Sequence, residues 1–145
     1  MTNFPRRHPP SKRNSRKLTS KTQYKTTESG IAIALVDYVN KARPFLKDYI
    51  VKLDNEGRTS WQLGKQKKRE GKKKGASDYF IAWPMPQYFG LWLEIKTEQG
   101  KESPEQKEFG HKMMARGYQY RCVYGIDAAI EELDRYLGKY NGMCE

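Results

Sequence analysis

The stretch Tyr88-Phe89-Gly90-Leu91-Trp92-Leu93-Glu94-Ile95-Lys96-Thr97 constrains this chain more than any other, being an apolar run that ends in a carboxylate and an ammonium two residues apart. Its length and composition predict a buried strand. Side chains on a strand alternate faces, so Leu91, Leu93 and Ile95 point one way while Trp92, Glu94 and Lys96 point the other. Placing both charges at the end of so hydrophobic a strand costs desolvation energy unless they pair, bind metal or meet a polar cleft. A plain salt bridge between Glu94 and Lys96 would meet that requirement, and so would a site.

The residues before this strand choose between those readings. Asp78 to Trp83 reads as a second strand, and Pro84-Met85-Pro86-Gln87 as the turn joining the two. With the turn centred near residues 85 and 86, Asp78 lies about as far before it as Glu94 lies after it. In a symmetric antiparallel pair the two would sit opposite one another, with Cα atoms about 4.5–5.5 Å apart. Carboxylates that close repel unless a cation or a proton lies between them.

The charge balance narrows the partner. The 145 residues carry a formal net charge of +11, which makes a polyanion the leading partner class, nucleic acid before anionic membrane. Residues 1–27 contain eight basic residues, among them Arg13, Arg16 and Lys17, and no acid. A segment so polar cannot offset the entropy of ordering, so a disordered basic arm is expected, suited to phosphate contacts and otherwise a solubilising tail. A second cluster holds Lys65, Lys67, Lys68, Arg69, Lys72, Lys73 and Lys74 against the single acid Glu70, with Gly71 and Gly75 interspersed. It reads as a flexible cationic loop leading into Asp78, a phosphate-binding device rather than only a solvated face.

No run of eighteen apolar residues occurs and the basic N-terminus precedes no apolar signal core, so a soluble, cytoplasmic protein without membrane attachment is expected. Cys122 and Cys144 form no CxxC or Cys/His cluster, which argues against a zinc or disulfide framework. His8 and His111 have no partner at metal-ligand or general-base spacing.

The remaining pattern supplies the scaffold. Thr27 caps a helix expected from Glu28 to about Ala42, where Glu28 suits the helix dipole without needing another role. Tyr49 to Leu53 reads as a short strand closed by a turn at 54–57. Ser103-Pro104-Glu105-Gln106 opens a helix running to about Arg116 and stopping at Gly117, with Gln106, Phe109, Gly110 and Met113 inward. Gln106 completes a capping box there and requires no further explanation, although it also faces the sheet. Tyr118 to Tyr124 is a strand, and Asp127 to Leu137 an amphipathic helix stopped by Gly138. Helix, strand, hairpin, helix, strand, helix is the order of an α/β fold with a mixed central sheet flanked by helices. One domain over 28–138, followed by a flexible tail at 139–145, accommodates it.

Asp78, fifteen intervening residues, then Glu94-x-Lys96 bring together two hard oxygen ligands for Mg²⁺ or Mn²⁺ and one cation. In a chain with 31% charged residues such spacing arises readily by chance, but here the hairpin registers the acids beside a basic stretch. The ordered succession of Gly71 to Asp78, Tyr88 to Thr97, Gly100-Lys101 and Ser103 to Gln106 resembles the VRR-NUC nucleases of the PD-(D/E)XK superfamily, over about residues 28–137. That resemblance implies a restriction-endonuclease-like core, a divalent metal and hydrolysis of DNA phosphodiesters. By it Asp78, Glu94 and Lys96 are the catalytic core, Gln106 the helix glutamine beside the site, and Glu28 the first-helix acid that completes the metal shell. Ser77 stands where the family usually has proline, which removes no ligand. Small members resemble junction resolvases, often phage-encoded, so branched DNA and a homodimer are the expected substrate and assembly. The competing expectation is a non-catalytic basic nucleic-acid binder, with an RNA-associated protein of ribosomal type a weaker third.

Overall fold

The computed structural model describes residues 27–53 and 61–139. The basic arm up to residue 26, which carries Arg13, Arg16 and Lys17, lies outside them, as do the turn at 54–57 and the tail from residue 140.

Helix α1 spans Glu28–Ala42, and the Thr27 hydroxyl accepts the Gly30 N–H at 3.0 Å, as the capping pattern requires. Its apolar residues at four-residue spacing, Ile31, Leu35 and Val39, are buried. A short 3-10 turn at Pro44–Leu46 leads into strand β1, Ile50–Lys52. After the undescribed connection come helix α2, Trp61–Arg69, and strand β2, Tyr79–Ile81. Strand β3 is Leu91–Lys96, helix α3 Pro104–Met114, strand β4 Gln119–Tyr124 and helix α4 Gly125–Leu137.

The four strands form one mixed sheet in the order β1-β2-β3-β4, antiparallel across the first two pairings and parallel between β3 and β4. The alternation expected of β3 holds: Leu91, Leu93 and Ile95 are buried with Ile31, Leu35, Val39, Leu133 and Leu137 in the core between the sheet and helices α1 and α4. Each such side chain contributes about 1.5–3 kcal/mol by leaving water. Arg43 and Tyr38 of the α1 region both hold Asp134 of α4, at 3.0 and 2.7 Å, tying these helices together. The opposite sheet face carries aromatic rings. Trp92 meets Phe80 at 4.5 Å and Phe109 of α3 at 5.0 Å. Helix α3 comes this close because Gly110 lies on the Tyr120 ring, where a Cβ would meet ring carbon at 2.4 Å.

Three expectations are corrected. Lys65 to Arg69 lie on helix α2 rather than in a flexible loop, because Lys, Arg and Gln are strong helix formers and nothing interrupts them before Gly71, whose φ is +91°. Only Lys72, Lys73 and Lys74 belong to the following loop. The hairpin strands are shorter than expected: β2 ends at Ile81 and β3 begins at Leu91, since the connection has its own bridge between Met85 and Tyr88. Finally, helix α4 starts at Gly125, directly after β4, two residues before the expected Asp127. Among the described residues no helix is long and apolar enough to cross a membrane.

Candidate active site

The site forms at the C-terminal end of β3. Strand pairing opposes Tyr79 to Leu93, Phe80 to Trp92 and Ile81 to Leu91, and one further step in that register sets Asp78 across from Glu94. The expected register of the two acids is therefore the observed one. Asp78 is anchored there, its Oδ2 accepting the Ile95 N–H at 2.9 Å. Its own carbonyl accepts the Leu53 N–H at 2.7 Å, so the neighbouring strand β1 holds it as well.

Glu94 is 1% exposed, close to the limit for an acidic side chain. Its Oε1 pairs with Lys96 Nζ at 2.7 Å and also accepts Gln106 Nε2. Its Oε2 is buried with no hydrogen-bond partner. Burial pushes the carboxyl up to about 7, the negative charge of Asp78 adds to the rise, and Lys96 opposes it without prevailing. For Lys96 the balance is reversed: burial alone would lower its pKa, but the hydrogen bond and charge of Glu94, with Asp78 and Glu28 farther off, raise it. The strand end thus carries an acid that holds a proton until near neutrality and a lysine that stays charged.

Gln106 resolves two readings that its sequence left open, because both hold. Its Oε1 accepts the Ser103 N–H at 2.8 Å and the Ser103 hydroxyl accepts the Gln106 N–H at 3.2 Å, the full capping box. Since the cap consumes only the amide oxygen, the amide nitrogen remains to hold Glu94. The fold uses one side chain to start α3 and to orient the buried carboxylate.

Glu28 is exposed at the first turn of α1 and lines, with Asp78 and Ile95, a cavity of about 70 Å³. Among the described residues no three acidic, imidazole or thiol side chains converge into a ready-made cation cage. Asp78 and Glu94 therefore stand together, and Glu28 lies beside Asp78 without closing a three-carboxylate cluster. The orphaned Glu94 Oε2, in a set of hard carboxylate oxygens, fits Mg²⁺ or Mn²⁺ in chemical type.

Of the cationic residues, Lys73 and Lys74 lie against helix α3. Lys74 pairs with Glu105 at the first turn of α3, and Gly75, with φ +80°, packs so tightly on the Glu105 and Gln106 backbone that a Cβ would meet it at 2.5 Å. The loop is thus docked on the helix that carries Gln106. Lys65, Lys68 and Arg69 are exposed on α2, with Lys67 half-buried; Lys72 is half-buried and Lys73 exposed in the loop. His111 is exposed.

Two neighbours of the site carried no sequence signal. Cys122 faces Glu94 across the parallel β3–β4 register, its thiol pushed up to about 11 chiefly by burial. Lys52, at the end of β1, lines the same cavity as Glu28 and Asp78. Neither belongs to a recognisable motif, and only strand order reveals their position.

No family model matches the sequence, and no curated protein does. Among solved structures, a VRR_NUC domain protein is similar to this chain, with 28% sequence identity, a TM-score of 0.65, and coverage of 82% of this chain and 96% of that one.

Proposed function

The chain carries a VRR-NUC domain, and from that premise we propose that it is a divalent-metal-dependent deoxyribonuclease that hydrolyses phosphodiester bonds in branched DNA. The observation that carries the reading is Glu94: a carboxylate 1% exposed, with one oxygen orphaned, opposite a second carboxylate. An arrangement that costly is hard to account for as scaffolding.

Asp78 and Glu94 are the residues that would hold the ion, and Glu28, which lines the same cavity as Asp78, is the third acid that would join them. When bound, the ion supplies polarisation of the phosphate and a lower pKa for an attacking water. Lys96 remains charged beside Glu94 and offsets negative charge that develops on the phosphoryl oxygens. Gln106 keeps Glu94 from swinging toward solvent. Lys65, Lys67, Lys68, Arg69, Lys72, Lys73 and Lys74, joined by Arg13, Arg16 and Lys17, would bind the DNA backbone without regard to sequence.

The preference for branched DNA and a homodimeric working form rest on the family resemblance, and a cytoplasmic setting on the absence of a long apolar run from the sequence. The test is a cleavage panel of linear, flap and four-way DNA in Mg²⁺ or Mn²⁺, with Glu94→Ala as control and the oligomeric state measured by light scattering. Metal-dependent cutting that Glu94→Ala abolishes supports the reading. DNA binding without cleavage of any substrate in either metal would instead establish a basic nucleic-acid binder.

A further inference from the structure

Lys52 occupies a position that the catalytic set leaves unexplained. The three-residue strand β1 pairs Lys52 with Tyr79, and the next N–H, of Leu53, donates to the carbonyl of Asp78 at 2.7 Å. The backbone bearing Lys52 is therefore fixed against the backbone of Asp78 itself. Lys52 lines the 70 Å³ cavity together with Glu28, Ser29 and Asp78. Yet its side chain is exposed and, among the described residues, its ammonium makes no hydrogen bond or ion pair, although two acids line the same cavity. The contrast with Lys96, which spends its charge on Glu94 at 2.7 Å, is sharp.

We propose that Lys52 is a substrate-binding residue that holds a backbone phosphate of the DNA strand on the α1 side of Asp78. The inference rests on the nuclease reading and extends it to a residue outside the Asp78, Glu94, Lys96 set. The chemistry is direct. A strongly hydrated point charge on a flexible stem suits a phosphate that arrives with the substrate, and a lysine without a protein partner loses no ion pair by taking one. Lys96 and Lys52 then flank Asp78, the first serving the reacting phosphate and the second a neighbouring one. The plain alternative is that Lys52 only protects the open edge of β1 against strand pairing, a common use of edge lysines.

The two roles separate by measurement on the full chain. Fluorescence anisotropy with a labelled four-way junction and a labelled duplex, without divalent metal, gives affinity across a salt series for wild type, Lys52→Ala, Lys52→Arg and Lys52→Glu. Steady-state cleavage gives KM and kcat for the same proteins. For a phosphate contact, Lys52→Ala weakens binding about fivefold, makes the log–log salt slope shallower by about 0.9 and raises KM, while kcat stays within about twofold. Lys52→Arg restores most of the affinity, Lys52→Glu weakens it further, and all three melt close to wild type because the side chain is exposed. Unchanged affinity, slope and KM in Lys52→Ala would overturn the inference while leaving the nuclease reading intact. Failure of the wild-type chain to bind or cut DNA would overturn both.

Discussion

Among the described residues two glutamates are almost fully buried, and they are buried differently. Glu132 of α4 is 4% exposed and both of its oxygens are in use: Oε1 accepts Gln119 Nε2 at 2.9 Å and Arg121 Nε at 3.0 Å, and Oε2 accepts Arg135 Nη1 at 2.6 Å. Glu94 of β3 is 1% exposed, loads two donors onto one oxygen and leaves the other orphaned. Burial of a carboxylate is therefore not in itself the mark of a site. What distinguishes Glu94 is incomplete satisfaction beside a second acid, a state the fold tolerates only at a cost.

The largest difference should appear in turnover. Asp78→Asn and Glu94→Gln are expected to lower kcat by about a thousandfold or more, because each replaces a charged ligand of the ion with a neutral amide. Glu132→Gln, measured at a temperature where it is folded, should stay within about threefold of wild type. Comparable losses at both glutamates would erase the distinction.

Stability should move the opposite way. Glu132→Ala strands the buried Gln119 amide and two guanidinium groups and should cost about 2–3 kcal/mol in urea unfolding, the partial exposure of both arginines limiting the loss. In metal-free protein at pH 8, Glu94→Gln should instead gain about 2 kcal/mol, since a neutral amide avoids the burial cost of the carboxylate. The sign follows from linkage. The folded value of about 7 lies above the ordinary 4.5, so the folded protein binds the proton more tightly than the unfolded chain. The stabilisation is complete below about pH 4.5 and is lost as pH rises to about 7. Wild type should therefore lose stability relative to Glu94→Gln over that interval, and parallel curves for the two proteins would contradict the assignment.

Gln106 lies between the two regions in kind, being both scaffold and site, and its variants should split the functions. Gln106→Ala loses the reciprocal cap and the hold on Glu94, at about 1 kcal/mol and about tenfold in kcat. Gln106→Glu keeps an acceptor for the Ser103 N–H but sets a third acid against Glu94, so it should retain much of the helix start while losing at least as much activity. The smallest effect belongs to Glu131, whose ion pair with Arg135 is exposed: Glu131→Ala should change stability by no more than about 0.5 kcal/mol.

The residues differ in how far their roles can be read from sequence. The Asp78–Glu94 register follows from local information, a proline-bounded connection and strict alternation along β3, and the caps at Thr27, Ser103 and Gly138 are equally local. Helix α2 was obscured because its lysines have high helix propensity but no apolar period to announce it. The Gln106 bond to Glu94 was hidden behind a capping box that already explained the residue. Lys52 and Glu132 gave no signal because their surroundings come from strands and helices distant in the chain. Ile130, Leu133 and Leu137 mark the inward stripe of α4, but nothing in that stripe says that the adjacent Glu132 meets Arg121 of β4.

Everything proposed for turnover depends on Asp78 and Glu94 forming a divalent-cation site. Thermal unfolding of the DNA-free protein with increasing Mn²⁺ or Mg²⁺ at pH 8 tests this without DNA or catalysis, because an ion that binds only the folded state raises Tm with concentration. A cation site held by these two acids gives a concentration-dependent rise for wild type and its loss in both Asp78→Asn and Glu94→Gln. An equal rise in all three proteins, or none in wild type at millimolar metal, would contradict it.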